Sequence, residues 1–170
     1  MTSTAAGNPA QLLYPDLADE LATTRKMIGL VPDGNDDFKP HDKSMSLGSL
    51  ATHLTQLPKF ANTILSTNEL DFATTPWTEK KMATTAERLE EFDRNAGAMS
   101  SDVQAAQWPT LEESWTLRAG PAVYLTEQKG KLLRTFTLSH MAHHRAQLGV
   151  YLRLLGVPIP GCYGPSADEM

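Results

Sequence analysis

Apolar side chains that recur at steps of three and four over long stretches constrain this chain more than any other feature. Leu89, Phe92, Ala96, Met99 and Val103 follow that alternation, which is the seam a helix buries when it packs in a bundle. Leu47, Leu50, Leu54, Leu57, Ala61 and Ile64 form a second stripe, and Leu17, Leu21, Thr24 and Ile28 a third. Each stripe carries its own start and stop signals. Pro15 and Asp16 suit the first turn of a helix that Gly29 and Pro32 end. Ser46 is an N-cap for the second helix, and Thr84 with Glu87 has capping-box spacing for the third. A fourth and longest helix is expected from Thr126 to Leu155, closed by Gly156 and Pro158. Pro58 lies inside the second pattern, where it cannot donate to the Leu54 carbonyl, so a kink is expected there.

The connections are polar. Residues 32–43 read as a long loop, 115–118 and 122–124 could pair as a small hairpin around Gly120-Pro121, and the last ten residues read as irregular. The predicted fold class is therefore all-α, an up-down four-helix bundle, with residues 1–170 as one domain. Trp77, Trp108 and Trp115 read as packing residues.

Composition narrows the function. A chain of 170 residues, 41% apolar and 21% charged, can bury a core without disulfides. It has one cysteine, Cys162, so an intrachain disulfide is excluded and a reducing, cytoplasmic setting is expected. A net charge of −5 argues against a nucleic-acid partner, which calls for a clustered basic surface. The first residues show no signal-peptide pattern, and no apolar run approaches a membrane span.

The histidines carry the chemistry. His140 and His144 are four residues apart, so they share one helix face, with Leu133, Phe136, Gln147 and Tyr151 on the same side. Lys131, Arg145 and Arg153 lie round from that face, which assigns Arg145 to the surface or to a dimer contact. His53 leans inward from the edge of the second helix's stripe. Two imidazoles at this spacing can converge on one ion, and a third from a facing helix would complete a site. An isolated H-x-x-x-H is nevertheless a weak pattern, and hydrogen-bonded core histidines satisfy the same spacing. His143 is rotated off the line, and His41 sits in the polar loop. Glu90 and Glu91 are adjacent on the third helix, so at least one should be solvated. No G-x-S-x-G, G-x-x-x-x-G-K-[ST] or G-x-G-x-x-G pattern occurs.

The segment HMAHHRAQLGVYLRLLGVPIPGCYGPSADEM, from His140 to Met170, resembles the C-terminal signature of the DinB-like, or YfiT-like, metalloenzymes. That signature is a histidine, two residues, then HHR-x-Q-L, followed by YLRL and a YGPSADE tail. FKPHDKSMSLGSLATHLTQLP, from Phe38 to Pro58, resembles the same family's loop and second helix, with a histidine at the position of His53. Ala146 departs from the glycine that relatives often carry after HHR, a change that favours helix. The resemblance implies a four-helix bundle that holds one divalent metal through His53, His140 and His144, and often a homodimer. Some relatives are transferases that use low-molecular-weight thiols.

Three imidazoles leave coordination positions open, unlike a closed four-ligand structural site. Such a site suits hydrolysis or thiol S-transfer of a small-molecule substrate, and a non-catalytic metal-binding stress-response protein is the alternative. Zinc is the first expectation for the metal, with nickel and iron also compatible. Gln147, Tyr151 and His143 are the candidates for contacts that orient the ligands.

Overall fold

The apolar stripes become the helices of the bundle almost residue for residue. The computed structural model describes residues 8–75, 78 and 80–170; Trp77 lies outside them. After a short helix α1 (Pro9–Leu13), which the sequence pattern did not suggest, α2 spans Leu17–Ile28 and ends at Gly29. Helix α3 spans Leu47–Ser66, with the Ser46 hydroxyl accepting from the Ser49 N–H. Pro58 stays inside α3 and is buried. Helix α4 spans Thr85–Ala105 and opens with a complete capping box, Thr84 and Glu87 each capping the other's backbone N–H. Of the predicted seam residues, Phe92, Ala96, Met99 and Val103 are buried, and Leu89 is half-buried against the core. Of the two adjacent glutamates, Glu90 is exposed and Glu91 is buried, paired with Lys80 and Arg94.

The expectation of an all-α fold is corrected by a small sheet. After a short helix α5 (Trp108–Glu112), strands β2 (Ser114–Ala119) and β3 (Ala122–Gln128) form the hairpin. Gly120 turns it with φ of 55°, a conformation other residues adopt at a cost. A third strand, β1 (Glu69–Asp71), pairs parallel to β2, with Leu70 opposite Leu117. The sheet order is β1-β2-β3. Trp115, fully buried, ties it to the end of α3 by donating its indole N–H to the Thr67 hydroxyl at 2.9 Å.

The last helix starts later than predicted and is not uniform. Thr126 belongs to β3, where its hydroxyl meets that of Thr116 at 2.9 Å across the strands; β-branched threonine suits that pleated pairing. Helix α6 (Lys129–Leu132) then runs through a π-helical segment (Leu133–Ser139) into α7 (His140–Leu154). Helix α7 packs against both α3 and α2. Residues off the histidine line are therefore covered as well, and this overturns the surface assignment of Arg145. Arg145 is 1% exposed and pairs with Glu20 on α2 at 2.8 Å. The final residues form no helix or strand but are held down: Tyr163 bonds Arg145 and Glu20, and Asp168 accepts from Arg153 at 2.6 Å. Among the described residues no helix is long and apolar enough to cross a membrane.

Candidate metal centre

His53 on α3 and His140 and His144 on α7 come together where the two helices face each other. The Nε2 atoms of His140 and His144 are 2.9 Å apart, and those of His53 and His140 are 3.5 Å apart. One ring nitrogen from each of the three lies within 4.8 Å of the others. Two imidazole nitrogens sharing a zinc ion at 2.0–2.1 Å stand about 2.9 Å apart at a right angle and about 3.4 Å apart at the tetrahedral angle. The observed spacings match that range. Among the described residues no carboxylate or thiol joins the three histidines.

The second nitrogens decide which way the lone pairs point. The Nδ1 of His140 faces the Phe136 carbonyl at 3.3 Å. A carbonyl only accepts, so Nδ1 carries the proton and Nε2 presents its lone pair. The contact lies at the junction of the π-helical segment with α7. The backbone N–H of His140 bonds the Thr137 carbonyl, three residues back, instead of Phe136 four back. π-helical turns recur at functional sites. The Nδ1 of His144 meets Gln147 Oε1 at 2.7 Å, which orients its Nε2 lone pair in the same way. Two lone pairs thus face one another at 2.9 Å, an arrangement that a shared cation resolves.

Electrostatics agree with ligation. Burial pushes the His53 and His140 imidazoles down to about 4, with their neighbouring histidines adding to it. Burial also lowers His144, against the hydrogen bond to Gln147. All three are therefore neutral near pH 7, the form in which imidazole binds a metal.

The other candidates separate. Gln147 contacts His144 directly. His143 is exposed, with its ring centroid 4.9 Å from that of His144. Tyr151 is not at the site: its hydroxyl donates to the Met45 carbonyl at 3.0 Å and its ring meets Phe38 edge-on, so it anchors the 32–43 loop. His41 is exposed in that loop, and Cys162 is half-buried in the tail.

Beside the imidazoles lies a cavity of about 210 Å³. The residues His53, Gln56, Leu57 and Phe60 line it from α3, and Phe136 and His140 from the opposite helix. Phe72, which follows β1, and Leu117 on β2 close it. The hairpin strand β2, which the sequence suggested, and the residue after β1, a strand it did not suggest, thus supply a wall of the site. Gln56 was missed too. Its signal was a polar residue three places after His53 within an apolar stripe.

A family model for the DinB family matches residues 2–170. The chain belongs to the DinB family. Among curated proteins it is similar to YrdA, an uncharacterized protein of Bacillus subtilis (strain 168), at 26% identity over 154 residues, 88% of this chain and 85% of YrdA. Its fold resembles two solved structures from B. subtilis. The DinB-like protein YjoA superimposes with a TM-score of 0.66 at 19% identity, over 89% of this chain and 97% of YjoA. YfiT superimposes with a TM-score of 0.65 at 12% identity, over 93% of this chain and 94% of YfiT. YfiT is described as a probable metal-dependent hydrolase with an unusual four-helix bundle topology. The DinB fold accounts for the helical frame here.

Proposed function

We propose that this protein is a metal-dependent hydrolase of small molecules, with one divalent cation on the Nε2 atoms of His53, His140 and His144. The facing lone pairs of His140 and His144 at 2.9 Å carry this reading. The description of YfiT as a probable metal-dependent hydrolase supports the reaction class. A divalent cation in such a site supplies Lewis acidity, polarising a carbonyl and lowering the pKa of water. Zinc is the first candidate, since the nitrogen spacings suit it and a three-histidine set is a known catalytic zinc environment. The chain's own residues do the rest. Phe136 and Gln147 fix the two imidazoles of α7, and the apolar cavity beside His53 and His140 excludes bulk water from a bound substrate.

Metal content tests the reading. Protein purified without chelator should carry about one zinc, nickel or iron ion per chain by plasma mass spectrometry, and His144→Ala, with its helical circular dichroism intact, should lose it. A wild-type chain that takes up none of these ions overturns the proposal. A loaded chain that turns over no ester, amide or thiol conjugate would instead be a metal-binding protein without catalysis.

A further inference from the structure

We infer that the cavity beside the imidazoles binds the aryl acyl group of an uncharged ester or amide, and that Gln56 donates a hydrogen bond to its carbonyl oxygen. The inference deepens the hydrolase reading and rests on it for the reaction, while the binding itself can be tested without metal.

Three observations support it. The first is the shape and chemistry of the cavity. At about 210 Å³ it exceeds the ~150 Å³ cavity that accepts benzene. Leu57, Phe60, Phe72, Leu117 and Phe136 form its walls, and no Asp, Glu, Lys or Arg among the described residues lines it. Phe60 and Phe136 stack on each other with ring centroids 6.0 Å apart and planes 24° from parallel, so together they present an aromatic wall against which a ligand ring can pack. A charged tail would find no counter-ion there and would lose its water.

The second is Gln56. Its side chain lines the cavity at 5% residue exposure, and among the described residues its amide makes no hydrogen bond. A side-chain amide has two N–H donors and an accepting oxygen, and without a protein partner these remain open to a group that enters the cavity. The most economical reason to keep a glutamine in an apolar stripe is a partner that arrives with the ligand.

The third is placement. Gln56 follows His53 by three residues on α3, so the two side chains are neighbours on one helix face. Leu57 and Phe60 continue that stripe away from the histidines. A ligand carbonyl held by Gln56 therefore sits on the imidazole side, with its apolar group among the phenylalanines. In hydrolysis of such an ester, a water oxygen bonds the carbonyl carbon, the acyl C–O bond breaks, and the alcohol leaves with a proton from water. The other product is the carboxylic acid, which gives its proton to solvent and is then a carboxylate, a charge that the apolar walls do not solvate.

The test uses benzamide, which keeps the aryl group and the carbonyl but resists turnover, against acetamide and benzoate. Binding to the full-length protein is followed by NMR or calorimetry, with and without added zinc. Benzamide should bind at least about tenfold more tightly than either comparator, and Gln56→Leu should weaken benzamide by about tenfold, the loss of one hydrogen bond, while leaving toluene unchanged. On the metal-free protein, where no cation can hold a carboxylate, equal binding of benzamide and acetamide, or tighter binding of benzoate, overturns the inference and needs no variant. Benzamide binding that survives Gln56→Leu overturns the role of Gln56. Benzamide binding in a chain that takes up no metal would uphold the cavity and sink the hydrolase.

Discussion

Arg145 shows how helix α7 is held, and replacing it should be among the most destabilising changes away from the histidines. Its Nη2 pairs with Glu20 Oε2 at 2.8 Å and also donates to the Tyr163 hydroxyl. Its Nη1 donates to the Glu20 carbonyl at 3.1 Å and to the Thr24 hydroxyl at 2.9 Å. Arg145→Leu removes all four contacts and leaves a buried carboxylate whose remaining partner is Tyr163, which donates to Glu20 at 3.0 Å. Breaking a buried ion pair on one side costs about 3–5 kcal/mol. For a chain of this size each kcal/mol moves the melting temperature by about 2–4 °C, so the melt should fall by about 6–20 °C. The double variant Glu20→Leu/Arg145→Leu should recover most of that loss, because a buried pair replaced by apolar groups of similar volume is close to neutral. Thermal melts of metal-free protein by circular dichroism read both values without a contribution from ligand binding. The reasoning is refuted if Arg145→Leu melts within about 2 °C of wild type, or if the double variant is less stable than the single one.

Two further outcomes follow from the site. Burial holds His53 and His140 at about 4, whereas the unfolded chain titrates them near 6.5; between those values the unfolded state binds more protons, so metal-free stability should fall as the pH drops from 7 to 5. Urea unfolding at the two pH values checks this, and a flat or opposite trend contradicts the burial of the imidazoles. Gln147→Leu removes the partner of His144 Nδ1 and should weaken metal binding about 10–100-fold with little change in the fold. Competition with a chromophoric chelator measures it, and an unchanged affinity would show that Gln147 does not orient the ligand.

Local rules wrote most of the frame into the sequence. The stripes of α2, α3 and α4 are buried where the three-and-four periodicity put them, and Ser46 and Thr84 cap where their spacing said. These features depend on neighbours within one or two turns, which the sequence displays directly. The histidine pair was legible for the same reason: a four-residue step fixes a shared face. That His53 meets them was carried by family resemblance, because nothing local to α3 says which helix it will face.

What tertiary structure decided depends on partners far apart in the chain. Strand β1 is three residues long and has too little periodicity of its own to be read; it exists because β2 lies beside it. Arg145 looked exposed on a helical wheel, which knows one neighbour at most. It is buried because α7 is packed on two sides and Glu20, 125 residues away, supplies its counter-charge. The π-helical segment that leads into His140, and the wall that Leu117 and Phe72 add across the cavity, arise in the same way. Sequence spacing determined which side chains could act together, and packing decided which nitrogen each presents and what space lies before it.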